Sequence, residues 1–146
     1  MVWADTQGFR RRAILISVPT ANVETLRRGY EALNRGELSE VRALLHPDLV
    51  WQEDPASPEA GAHQGSASFE RFLRSWLESF DDFRIEPEEI IEDGDRLIAL
   101  VHQSGKGRTS GVGVEVRIAH VWTVEDGRAV RWRSYPSRER ALESET

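Results

Sequence analysis

A chain of 146 residues with a formal net charge of −6 and no cysteine reads as one domain with a sizeable buried core. That balance leaves no basic footprint for nucleic acid, and the missing thiols exclude disulfides, thiol catalysis and thiolate metal sites. Arg10-Arg11-Arg12 before Ala13-Ile14-Leu15-Ile16 is too short to be a secretory leader, and no stretch reaches membrane-span length, so a cytoplasmic protein is expected.

Residues 1–18 show no periodicity and read as a loosely ordered extension, with the domain proper spanning 19–143. Pro19-Thr20-Ala21-Asn22 starts a helix whose buried stripe is Val23, Leu26, Tyr30 and Leu33, and Gly36 ends it. A shorter helix is expected from Leu38 to Leu45, stopped by His46-Pro47-Asp48. Leu49 to Glu53 then reads as a short strand.

Asp54 to Gly65, with Pro55, Pro58, Gly61 and Gly65, is expected to be a loop of the kind that walls a site. Phe69, Phe72, Leu73, Trp76, Leu77 and Phe80 then make a wide aromatic helix stripe suited to packing on a sheet. Phe83 to Ile91 is a strand with Pro87 marking an edge or bulge. Asp93-Gly94-Asp95 turns into a strand over Arg96 to Ser104, and Gly105 to Gly113 connects it to the next.

Glu115 to Tyr135 is a β-hairpin written as alternation. Val116, Ile118, His120, Trp122 and Val124 share one face of its first strand. A two-residue Asp126-Gly127 turn would set Arg131 and Arg133 beside Trp122 and His120. A three-residue loop, Glu125 to Gly127, pairs Trp122 with Val130 and His120 with Trp132. The second register leaves both arginines in water and is the one expected. It gathers Ile118, His120, Trp122, Val130, Trp132 and Ser134 on one wall. Ser137 to Glu143 closes the chain as a short helix. Helices, a short strand, a long helix and a meander together make an α+β domain.

The helix–Asn34-Arg35-Gly36-Glu37–helix pattern, His46-Pro47-Asp48-Leu49-Val50-Trp51, Gly65 before the aromatic helix, and the Ala-His-Val-Trp hairpin are similar to the SnoaL-like polyketide-cyclase group. That group lies within the nuclear-transport-factor-2-like superfamily, and the resemblance runs from Pro19 to Leu142. It implies a cone: a curved antiparallel sheet wrapped around helices, with an apolar pocket at the open end. It also implies homodimers formed through the outer sheet face, where Val121 offers apolar surface. In the cyclases of the group a histidine and an aspartate on the hairpin transfer protons during ring closure. His120 matches the histidine, but Ser134 stands at the aspartate's place, and a hydroxyl takes no proton near neutral pH.

The catalytic candidates are therefore His120, Ser134 and Tyr30. His120 would act as a neutral imidazole base, or else be a buried histidine whose ring nitrogens Ser134, Tyr30 or a backbone carbonyl satisfy. Tyr30 would be an oxyanion donor as in related isomerases, or else a core tyrosine with its hydroxyl at the rim. Candidate binding residues are Trp51, Trp76, Trp122 and Trp132 as a flat aromatic lining, and Glu53 and Asp54 as substitute carboxylates. His63 could close over a ligand, and His102 shares parity with Ile98 and Leu100 and could point inward. The four histidines have no metal-ligand spacing, so no metal or cofactor is expected. Two functions fit: a cofactor-independent cyclase, isomerase or dehydratase acting on a hydrophobic carbonyl compound, or a non-catalytic module that binds a hydrophobic or aromatic small molecule or dimerises.

Overall fold

The computed structural model describes residues 20–54 and 60–144, so the extension expected over 1–18 lies outside the described residues. Helix α1 (Ala21–Asn34) starts where Thr20 Oγ1 accepts the Val23 amide at 3.2 Å. It ends in a Schellman motif, with Gly36 N bonded to Leu33 O and Glu37 N to Ala32 O, both at 2.9 Å. Its buried stripe holds Val23, Leu26, Tyr30 and Leu33, as the spacing predicts. Helix α2 (Leu38–Ala43) is shorter than expected, because Leu45 already belongs to strand β1 (Leu45–Glu53).

The expected loop after β1 contains a further strand. β2 (Gly61–Gln64) pairs antiparallel with β1, setting His63 opposite Trp51. Helix α3 (Ser66–Ser79) buries Phe69 and Phe72 and leaves Leu73, Trp76 and Leu77 packed at the edge of the core. β3 (Phe80–Asp93) is an edge strand whose register shifts between Pro87 and Glu89, where a residue without an amide hydrogen costs no ladder bond. β4 (Arg96–Gly107), β5 (Gly113–Glu125) and β6 (Arg128–Tyr135) complete the meander, and α4 (Arg138–Glu143) follows, capped by Ser137.

The six strands form one curved sheet in the order β2-β1-β6-β5-β4-β3, antiparallel except where β1 runs parallel to β6. α1 and α3 pack into its concave side. Leu97, Ala99 and Val101 point inward with Trp122, Val124 and Trp132. On the convex side Ile98, Ala119 and Val121 form a second cluster with Ala141 of α4. Arg96 ties α4 down, donating to Ser144 O at 2.8 Å. Val121 is thus only 2% exposed, and the apolar surface it was expected to offer a second copy is covered by α4.

The hairpin register differs from the expected one. Asp126 and Gly127 both have positive φ, 52° and 77°, and form a two-residue turn that pairs Glu125 with Arg128. A register shift follows: Val124 faces Ala129 while Thr123 faces Arg131, leaving Val130 as the extra residue of a bulge. That single insertion restores the apolar parity. Trp122 sits opposite Trp132 and His120 opposite Ser134, and Ala129 takes the inward place expected of Val130.

Candidate functional site

Tyr30 on α1, His120 and Trp122 on β5, and Trp132 and Ser134 on β6 converge in the concave face. Each of the five is at least nine-tenths buried. Trp122 Nε1 donates to the Tyr30 hydroxyl at 2.9 Å, and that hydroxyl lies 2.8 Å from His120 Nδ1. Burial pushes the His120 imidazole down to about 3 and raises the Tyr30 phenol well above its ordinary range, the Trp122 bond opposing the latter. Both groups are therefore neutral near pH 7.

The donor count favours one tautomer. The Tyr30 oxygen already accepts from Trp122, and its one hydrogen has a single acceptor within reach, His120 Nδ1. With Nδ1 accepting that hydrogen, the neutral imidazole carries its own on Nε2. Among the described residues Nε2 has no hydrogen-bond partner. The Trp122–Tyr30–His120 relay thus ends in an unspent N–H donor.

That donor stands at the junction of two chambers. The inner one, about 60 Å³, lies between α1, α2 and the hairpin and is lined by Leu26, Gly29, Leu44, Leu45, Val124 and Ala129 among others. The outer one, about 310 Å³, is walled by Phe72, Trp76, Phe83 and Ile118, with Ser134, Gln103, Glu53 and Asp54 as its polar groups. Leu33, Leu73, Ile85, His120 and Trp132 line both. The outer chamber reaches solvent beside Val116, which is 46% exposed.

The remaining expected site residues divide. Glu53 and Asp54 do line the outer chamber, as does Trp76. Trp122 lines the inner one. Trp51 and His63 do not line either. Their rings stack at 4.2 Å, Trp51 Nε1 donates to Ser68 Oγ at 2.9 Å, and both border a separate surface groove on the far side of Phe72. His102 points away from the site. The inward residues of β4 are Leu97, Ala99 and Val101, so the parity it shares with Ile98 places it on the convex face, opposite Arg117 of β5. Its Nε2 approaches Glu115 Oε2 at 3.0 Å without hydrogen-bond geometry.

Sequence reasoning did not single out Gln103, Gly29 or Ala129. Gln103 was legible: it shares inward parity with Val101 and is polar. Gly29 and Ala129 carry no chemistry, and only the packing shows that they line a cavity. Among the described residues no group of three or more His, Asp or Glu is placed to hold a metal ion. No described helix is long and apolar enough to cross a membrane.

Helices wrapped by a curved sheet around an apolar cavity define the nuclear-transport-factor-2-like class, and solved structures agree. An NTF2-like protein of unknown function from Burkholderia pseudomallei K96243 is 30% identical, with a TM-score of 0.71 over 84% of this chain and 95% of that one. TerC, co-crystallised with polyporic acid, is 23% identical, with a TM-score of 0.71 over 85% and 97%. A protein with a ketosteroid isomerase-like fold from Catenulispora acidiphila DSM 44928, in complex with trimethylamine, is 12% identical, with a TM-score of 0.69 over 79% and 86%. The SnoaL-like domain model matches residues 26–132, and the chain belongs to that family. No curated protein matches it significantly.

Proposed function

We propose that this chain binds a hydrophobic, aromatic carbonyl compound in its two-chambered cavity and transfers a proton on it without a cofactor. The observation that carries the reading is the relay that ends in His120 Nε2–H at the chamber junction. A neutral imidazole in an apolar site is a strong donor to a carbonyl oxygen, and its hydrogen bond strengthens as negative charge grows there. That role differs from the base expected of His120, since Nε2 already holds a proton. The proton beside the carbonyl would instead pass to Glu53 or Asp54, the carboxylates that line the outer chamber. Ser134, opposite His120, would supply a second hydrogen bond to the same oxygen. Cyclisation, isomerisation and dehydration all begin with such a step.

One observation favours a second reading, ligand binding without turnover. The residue facing His120 is a hydroxyl, and the hydrogen-bond partner of His120 is Tyr30. Deuterium exchange at the carbon beside the carbonyl of an aromatic ketone, followed by NMR in D2O, separates the two. Exchange in the parent chain that falls at least tenfold in His120→Gln and in either Glu53→Gln or Asp54→Asn supports proton transfer. Binding with no exchange above the buffer rate leaves the binding module. The proposal includes cytoplasmic residence and a homodimer, the latter through outer-sheet surface that α4 leaves uncovered. Light scattering reads the dimer directly.

A further inference from the structure

We infer that the inner chamber is a selectivity pocket for a short alkyl branch on the carbonyl carbon of the ligand, with Gly29 and Ala129 setting its depth. This rests on the ligand-binding reading above and names the ligand's shape. Of the polar atoms bordering the chamber, Thr25 Oγ1 accepts from Arg28 and the Tyr30 hydroxyl is engaged by Trp122 and His120, while the ring N–H groups of His120 and Trp132 belong to the wall shared with the outer chamber. Away from that shared wall the lining is hydrocarbon, and apolar cavities stay dry and take apolar guests. A cavity of about 150 Å³ holds benzene, so about 60 Å³ suits a branch of about two or three carbons.

Gly29 is the residue that folding does not explain. It lies inside α1, where alanine is the more stable choice, and its φ is not positive. A Cβ added there would meet only Leu44 Cδ1, at 3.6 Å, which is ordinary contact. No close approach forbids a side chain, so the consequence of the glycine is the space it leaves in the chamber. Ala129 does the same from the sheet side, at the bulge where Val130 is turned away. With the carbonyl oxygen at His120 Nε2, one substituent enters this space and the aromatic part lies in the outer chamber against Phe72, Trp76 and Phe83.

The test is a series of phenyl ketones, from acetophenone through propiophenone and butyrophenone to hexanophenone, with Kd read by tryptophan fluorescence. In the parent chain affinity is expected to rise about fourfold per methylene up to butyrophenone and then stop rising. Gly29→Leu fills the chamber and should abolish that gain, so that butyrophenone binds the variant no more tightly than acetophenone does. Ala129→Val, a smaller change from the opposite wall, gives the same reading should Gly29→Leu not fold. Acetophenone binding with no gain along the series overturns the inference alone. So does a gain unchanged in the folded variants. No binding of any member by the parent overturns the inference together with the ligand-site reading.

Discussion

The Tyr30 hydroxyl and His120 Nδ1 lie 2.8 Å apart, across 90 residues of sequence, and that one contact decides which ring nitrogen faces the cavity. With Trp122 donating to the same hydroxyl, the Tyr30 hydrogen is left for His120 Nδ1, which favours the Nε2–H tautomer. Tyr30→Phe removes both bonds and leaves Nδ1 and the Trp122 N–H buried without partners. Each orphaned group costs about 1–3 kcal/mol, so a loss of about 2–6 kcal/mol is expected from urea unfolding. The nitrogen-15 spectrum of His120 should show the Nε2–H tautomer in the parent and a tautomer mixture in Tyr30→Phe. An Nδ1–H parent would sink the relay.

Burial holds His120 down to about 3, whereas in the unfolded chain it titrates near its ordinary 6.5. Between those values the unfolded state binds the extra proton, so stability rises with pH. The contribution is fully present above 6.5 and is lost as pH falls toward 3. Its slope approaches about 1.4 kcal/mol per pH unit. Comparing unfolding of the parent and His120→Gln from pH 7 to 4 isolates this from the carboxylates that both share. Parallel curves would mean that His120 is not desolvated.

The cone was legible because its pattern is local and repeated. Val23, Leu26, Tyr30 and Leu33 at helical spacing and the alternation around His120 survive any error in loop length. The register was not, because it hung on one residue. The Asp126-Gly127 dipeptide signals the two-residue turn, but nothing local marks Val130 as the bulge that swaps the faces back. His102 failed for a related reason: Ile98, Leu100 and His102 alternate as an inward set would, but α4 gives the convex face an apolar cover of its own. β2 escaped notice because Gly61-Ala62-His63-Gln64 lacks β-formers and is held by pairing with β1 alone. The relay joins positions some ninety residues apart, and no spacing rule reaches that far.

Ser134→Asp places a carboxylate opposite His120, where the family resemblance implies one. A buried carboxylate next to a buried imidazole favours the charged pair over either charge alone, so the His120 pKa should move up from about 3. Burying the new group without a full set of hydrogen bonds costs about 1–3 kcal/mol of stability. An NMR titration of the His120 ring carbons checks the shift. An unmoved pKa would show that the two side chains, though paired in register, do not meet in the cavity.

Ala141 is fully buried against Ile98, Ala119 and Val121, and Arg96 anchors the end of the same helix through Ser144. α4 therefore stands where a partner's apolar surface would otherwise sit. Ending the chain after Tyr135 removes that cover and the Arg96 bonds together, exposing three apolar side chains on the middle of the sheet. The shortened chain is expected to bind a hydrophobic dye and to associate further than the parent at the same micromolar concentration, as read by light scattering. Ala141→Asp, which keeps the chain length, should loosen α4 by burying a carboxylate among Ile98, Ala119 and Val121, with a smaller shift in the same direction. The cavity lies on the other face, so phenyl ketone binding should persist in Ala141→Asp. Unchanged association in both variants would mean that α4 packs on the sheet without guarding it.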